Sequence, residues 1–301
     1  MMGETIGQIV RTMRPHQWVK NLFVLAPLVF AQAFWSAELL VRGVIATVLF
    51  CLMAGTVYLI NDIADRHRDR NHPVKRNRPI ASGKLSVRTA GIAAWATGGT
   101  SLVAAIILDV RLAGVLAGYL GLNLAYSRFL KHVAFVDVGS IATGFVLRVV
   151  AGSVAVDVWL SEWLVLCTFL LACFLGLGKR CHELILRREG TVKKTRRGWS
   201  KFEPHQLEAG LFFIGGLTVA AYTIYALTAS LPDQPLRTRH TPLAHPLIPV
   251  SIPFVVMGLA RFYQLVGRRV PNSPTEEMLR DPMLIGTVLA WGGLLLALAV
   301  V

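Results

Sequence analysis

Acidic residues are scarce in this chain: 17 Asp and Glu stand against 31 Lys and Arg in 301 residues. Cysteine is scarcer still, with four. Cys51, Cys167, Cys173 and Cys181 lie in or at the end of apolar stretches, without the paired spacing of a zinc site or a disulfide framework. They read as small residues filling an interior. No stretch has the composition of a separate soluble domain, and there is no low-complexity tract. The alternation of a membrane β-barrel is missing, and an open sheet cannot span lipid with unpaired edges. Residues 1–17 lack the short apolar core and small-residue cleavage site of a secretory signal. They read as an interfacial segment leading into the first span.

What the chain does have is long apolar runs, with 54% hydrophobic residues overall. A hydrocarbon core about 30 Å thick needs roughly 20 apolar residues per helix. Nine runs approach that length, at about 19–35, 41–60, 89–108, 112–127, 133–156, 160–178, 208–230, 246–264 and 283–301. The expectation is an all-α, polytopic membrane protein: a nine-helix transmembrane bundle forming one integral membrane domain over 1–301. With nine spans, 26 of the 31 Lys and Arg fall on the side that holds the N-terminus. The positive-inside rule then puts the N-terminus and its flanking loops in the cytoplasm. Basic residues that flank spans orient the protein and meet anionic lipid or phosphate, so nucleic acid is a poor explanation for the charge of +14.

One segment concentrates the few acids. In Asn61-Asp62-Ile63-Ala64-Asp65-Arg66-His67-Arg68-Asp69, three carboxylates stand at i, i+3 and i+7. On a helix they share a face and repel each other. Such a cluster points to a cation, and oxygen-only ligands favour Mg²⁺. Mg²⁺ held by a few carboxylates takes its remaining ligands from water and substrate phosphates. Tyr58 stands one turn before, and Asn61 adds a neutral amide. Lys75, Arg76 and Arg78 follow in a loop broken by Pro73, Pro79 and Gly83. Arginine suits bidentate phosphate binding. The plain alternative is a solvated loop between two membrane helices.

A second loop begins with Gly178-Lys179-Arg180-Cys181-His182-Glu183. Lys179 and Glu183 are i, i+4 neighbours on a continuing helix, and an exposed pair of that kind contributes little to stability. At the same membrane face as Asp62, Lys179, Arg180 and Glu183 are candidates for a second, phosphate-holding wall. His182 has no evident partner in sequence and reads as structural. Lys193-Lys194-Thr195-Arg196-Arg197-Gly198-Trp199 reads as a tract lying on anionic headgroups or as a lid. Lys20, Tyr126, Lys131 and Arg148 complete the candidate substrate contacts. Arg148 lies inside an apolar stretch, where a buried arginine needs a partner. Trp18, before Lys20, fits an interfacial anchor.

Taken together, these residues resemble the UbiA superfamily of intramembrane prenyltransferases. The likeness rests on Asn61-Asp62-x-x-Asp65-x-x-x-Asp69, on Arg78-Pro79-x-x-x-Gly83 and on nine spans. The resemblance implies a Mg²⁺-dependent transfer with Asn61, Asp62, Asp65 and Asp69 holding metal and a diphosphate leaving group. The Asp-x-x-x-Asp pair of the aromatic prenyltransferases is absent from the second loop. The chain is instead similar to the decaprenyl-phosphate phosphoribosyltransferase branch, on the strength of Arg14–Asn21, Val57–Asp62, His72–Ala81, Leu147–Ser153, Gly178–Arg180 and Leu279–Asp281. That likeness implies phosphoribosyl pyrophosphate as donor and a polyprenyl phosphate lipid as acceptor, in cell-wall or polysaccharide precursor synthesis. It implies Asp62, Asp65 and Lys179 as the catalytic group and a multi-pass protein of the plasma (inner) membrane. Homo-oligomer formation is left open. Two other readings use the same residues. One is alkylation of a 4-hydroxybenzoate-like acceptor by a polyprenyl diphosphate. The other is a membrane transporter, although transporter sites usually sit at the bilayer midplane rather than in a loop.

Overall fold

The computed structural model describes residues 2–190, 197–229, 243, 245–268 and 273–300. Lys193 to Arg196 of the basic tract lie outside these residues, as do Arg237 and Arg239. The described residues form helices and turns, with no strand among them. The α-helices are α1 (Met2–Met13), α2 (Ala26–Phe30), α3 (Ala37–Ala64), α4 (Arg66–Arg70), α5 (Val87–Leu108) and α6 (Val110–Arg128). They continue with α7 (Val136–Ala155), α8 (Glu162–Arg188), α9 (Pro204–Ala229), α10 (Ile252–Val266), α11 (Pro274–Glu277) and α12 (Pro282–Val300). Seven helical segments among the described residues are long and apolar enough to cross a membrane. They correspond to seven of the nine expected runs. The 112–127 run is a helix, α6, but a less apolar one. The 19–35 run is built from short 3₁₀ and α pieces, Pro15–Leu25, α2 and Ala33–Trp35. Large apolar side chains face outward, among them Trp95 at 84% exposure and Phe212 at 76%. Water would not tolerate so many, whereas lipid is the expected neighbour.

The chain divides into two compact units. The first takes in the chain to Leu28, Ala33–Ser127 and Leu147–Val158. Its long helices start on serine caps: Ser36 Oγ accepts from Leu39 N at 3.4 Å and Ser86 Oγ from Thr89 N at 3.0 Å. Such caps satisfy backbone donors that a helix start leaves open. α3 and α5 pack through small and hydroxyl residues. The Thr56 and Thr97 hydroxyls meet at 2.8 Å, Ser101 Oγ donates to Leu49 O at 2.8 Å, and Gly98 lies against Thr56. Lipid supplies no hydrophobic drive between helices, so close approach and hydrogen bonds must hold them. A core of Phe50, Met53, Leu112, Leu116 and Ala151 fills this unit. A second cluster of Met13, Leu59, Ile80, Leu85 and Ala90 lies beneath the carboxylate segment.

The second unit takes in Val29–Gln32, Arg128–Val146 and the chain from Trp159. Phe174, Leu211, Phe262 and Trp199 anchor its core. Gly178 in α8 is a close-approach position, since a Cβ there would lie 2.6 Å from the Phe262 ring. Asp281 starts α12: its Oδ1 accepts from Leu284 N at 3.0 Å while Arg261 grips both carboxylate oxygens at 3.1 and 2.7 Å. Those charge-assisted bonds hold the Asp281 carboxyl below its ordinary pKa.

In the first unit, Gly152 of α7 lies directly against the Val24 carbonyl, so even a methyl group collides with backbone. Backbone cannot rotate aside as a side chain can. Gly152→Ala is expected to cost about 1–3 kcal/mol by overpacking, read as a lower midpoint of thermal unfolding in detergent, whereas Gly99→Ala, with open space at its Cβ, should leave the midpoint near that of the parent.

Candidate active site

The carboxylate segment is positioned from two directions. α1 docks through Met13, which lies against Gly55 of α3 so closely that a Cβ at Gly55 would overlap it. The next residue, Arg14, has a left-handed backbone, φ 55° and ψ 65°, and precedes Pro15. A non-glycine residue held there carries roughly 1–3 kcal/mol of strain, so surrounding contacts must over-determine it. They do: Arg14 Nη2 meets Asp62 Oδ1 at 2.6 Å, and its guanidinium lies 4.6 Å from the Tyr58 ring centroid. Arg14 was not among the residues singled out in the sequence. The available signal was its place, an arginine between a helix end and a proline.

From the other side comes Arg78. Gly83 adopts φ 82°, Leu85 N bonds to Pro79 O at 2.9 Å, and Ile80 and Leu85 are buried. This anchored turn presents Arg78, whose Nη1 binds Asp62 Oδ1 at 3.0 Å and Asp69 Oδ2 at 2.7 Å. The expected single face of three carboxylates is thereby corrected. The regular helix breaks at Asp65, with φ −87° and ψ 0°, between α3 and α4. Asp62 and Asp69 converge on Arg78, both buried, while the more exposed Asp65 pairs with Arg68 at 2.8 Å. Asn61 Oδ1 accepts from Ser127 Oγ at 2.7 Å, a partner that sequence spacing did not reveal.

Among the described residues, no group of three His, Cys, Asp or Glu is arranged to hold a metal ion. The donor chemistry nevertheless suits a hard cation. Asp69 Oδ1 is buried and has no hydrogen-bond partner. A buried carboxylate oxygen without a donor is costly unless a positive group meets it. Lys75 is half-buried, and burial, then the neighbouring Arg78 charge, pull its ammonium below its ordinary pKa. Arg76 is exposed.

Arg148 and its neighbours form a separate polar group in the first unit. Arg148 Nε donates to Asn21 Oδ1 at 2.9 Å and Nη2 to Tyr119 OH at 3.1 Å. The guanidinium lies 5.1 and 5.0 Å from the Phe50 and Tyr119 ring centroids. Asn21 in turn donates to Cys51 Sγ at 3.2 Å. The partner expected for this intramembrane arginine is thus supplied at least in part by protein, through hydrogen bonds and ring faces. Lys20 is exposed and Tyr126 half-buried.

In the second unit, Arg180 meets two carboxylates. It is buried at 3% exposure, with Nε 2.7 Å from Asp137 Oδ2 and Nη1 2.7 Å from Glu183 Oε2. Trp199 Nε1 also donates to Asp137 Oδ2, at 2.9 Å. Glu183 is therefore held by Arg180, three residues before it. Asp137 and Trp199 were not legible as partners because 62 residues separate them. Lys179 and Lys131 are half-buried, and the buried His182 ring lies 2.9 Å from Val266 O, as a structural residue should.

The architecture and this chemistry define a multi-pass membrane protein with a buried carboxylate and arginine cluster at the end of its longest helix. Residues 22–197 match the model of the UbiA prenyltransferase family. The chain belongs to that family. It is 34% identical over 292 residues to a decaprenyl-phosphate phosphoribosyltransferase of Mycolicibacterium smegmatis, covering 96% of this chain and 91% of that protein. Its identity to the decaprenyl-phosphate phosphoribosyltransferase of Corynebacterium glutamicum is 33%, covering 94% and 84%. Among solved structures, a UbiA homolog from Archaeoglobus fulgidus bound to GPP and Mg²⁺ superposes with a TM-score of 0.67, at 18% identity, over 97% of this chain and 98% of that one.

The buried Arg180 pair separates structural from binding roles. Removing one partner of a buried pair costs about 3–5 kcal/mol because the other charge is left uncompensated. Asp137→Ala is expected to lower the unfolding midpoint strongly, and Asp137→Ala combined with Arg180→Met should recover much of that loss. An additive double variant would show that the pair is not coupled.

Proposed function

We propose that this protein transfers a 5-phosphoribosyl group from phosphoribosyl pyrophosphate to a decaprenyl-like polyprenyl phosphate, with release of diphosphate. The observation that carries this reading is the near-full-length likeness to curated phosphoribosyltransferases, joined to a second loop that begins Lys179-Arg180 rather than with the aspartate pair of aromatic prenyltransferases. In the transfer, the bond from ribose carbon 1 to the diphosphate oxygen breaks, and a bond from carbon 1 to a lipid phosphate oxygen forms. The lipid phosphate is already anionic, so it attacks without a general base.

Asp62 and Asp69 are the residues that would hold the divalent cation, with Asp65 and Asn61 beside them. The cation, Mg²⁺ in this reading, supplies charge neutralisation of the leaving diphosphate. Arg78 keeps the two buried carboxylates together and oriented. Lys75 and Arg76 stand near that site as phosphate cations, and Lys179 is a further one in the second unit. Fixed positive charge lowers the repulsion between two anionic substrates. The basic flanks support a reading in which the N-terminus and the carboxylate segment face the cytoplasm at the plasma membrane, where a water-soluble donor is at hand.

Membranes containing the protein, given labelled phosphoribosyl pyrophosphate and polyprenyl phosphate, should form a labelled, acid-labile lipid. Transfer only with a polyprenyl diphosphate and an aromatic acceptor would overturn this reading. Asp65→Asn, at the more exposed carboxylate, should abolish the product while leaving the unfolding midpoint nearly unchanged, whereas Asp62→Asn should abolish the product and also lower the midpoint, because it weakens a buried contact to Arg14 and Arg78. Lys179→Ala should raise the Michaelis constant for one phosphorylated substrate by about tenfold, the loss expected for one charge-assisted hydrogen bond.

A further inference from the structure

Two guanidiniums and two carboxylates meet at the end of α3: Arg14 and Arg78 with Asp62 and Asp69. Their formal charges cancel. A bare divalent cation would therefore meet no net negative charge. It would also compete with arginine contacts of 2.6 and 3.0 Å for the same oxygen, Asp62 Oδ1. A diphosphate arriving with the cation changes that balance. Any guanidinium displaced from Asp62 then finds phosphate oxygens, which suit its planar donors.

The two arginines differ in how easily they can be released. Arg78 is tied to both carboxylates and springs from a turn anchored by buried Ile80. Arg14 contacts only Asp62 of the pair and rests on the face of Tyr58, and it is as exposed as Arg78. A guanidinium on a ring face can slide while keeping its cation–π contact. Its left-handed backbone also leaves strain to be relieved by movement.

We propose that Arg14 is a diphosphate-binding residue held on Asp62 until substrate arrives, so that the divalent metal and the diphosphate enter together, each strengthening the binding of the other. This inference rests on the reading of Asp62 and Asp69 as metal-holding residues. Reciprocity follows from linkage: if diphosphate tightens metal binding by some factor, metal tightens diphosphate binding by the same factor.

Mn²⁺ binding to the purified full-length protein in detergent, followed by electron paramagnetic resonance, tests it directly. Titrations are run with and without inorganic diphosphate, at matched free Mn²⁺. Wild type should bind Mn²⁺ about tenfold more tightly with diphosphate, within the usual range of coupling. Arg14→Gln should bind Mn²⁺ alone roughly fivefold more tightly than wild type, because its competitor is gone, and its coupling should fall to about twofold. Arg14→Lys retains the charge without the planar donors; it should fold and show a coupling severalfold below wild type. If Arg14→Gln does not fold, Arg14→Lys carries the test alone. Wild-type coupling in every folded Arg14 variant overturns the proposal. Wild type that binds no Mn²⁺ under either condition overturns instead the metal reading on which it rests.

Discussion

Arg78 joins two buried aspartates that would otherwise repel each other. Asp62 lies in the last turn of α3 and Asp69 in α4, at 3% and 1% exposure. Removing two like charges from water is costly, and cations must be brought to them. The turn that follows α4 delivers one, because Gly83 reverses the chain and Ile80 and Leu85 anchor it in the interior. Asp62 and Asp69, seven residues apart, meet one guanidinium, while Asp65 pairs with Arg68. Arg14 then closes the group from the N-terminal helix.

The remainder of the protein follows the demands of a lipid solvent. Helices are held by close contact and hydroxyl bonds where an aqueous protein would rely on burying large side chains. Glycines mark the places where this matters, Gly55 beneath Met13 and Gly152 beneath the Val24 carbonyl. Charged groups inside are each given protein partners. Arg148 is held by Asn21 and Tyr119, and Arg180 by Asp137 and Glu183. The consequence for function is a division of labour among cations that composition alone does not express. Arg180 contributes to the interior, while Lys179 beside it is half-buried.

The relatives and the site support one reading from different directions. The stretch that matches the UbiA prenyltransferase family, residues 22–197, takes in the carboxylate segment at the end of α3. The phosphoribosyltransferases of M. smegmatis and C. glutamicum are similar to this chain over most of its length, the two basic loops included. In both loops cations outnumber acids.

Much of this was legible in residue order. Long apolar runs set the membrane helices, because the bilayer demands about 20 residues per crossing. The Asn61–Asp69 spacing marked the carboxylate segment, and Arg148 announced itself as an intramembrane charge that required a partner. Residue order did not show that the 19–35 run is assembled from short pieces, since an apolar run alone says little about where a helix stops. Nor did it show which cation meets which acid. Arg14 reaches Asp62 across 48 residues, Ser127 reaches Asn61 across 66, and Trp199 reaches Asp137 across 62. The sequence by itself determined the solvent, the helices and the residue types available for chemistry, because those depend on local composition and spacing. Only the tertiary structure decided which charges are spent on each other, because ion pairing depends on distance in space, and helix packing brings remote residues within 3 Å.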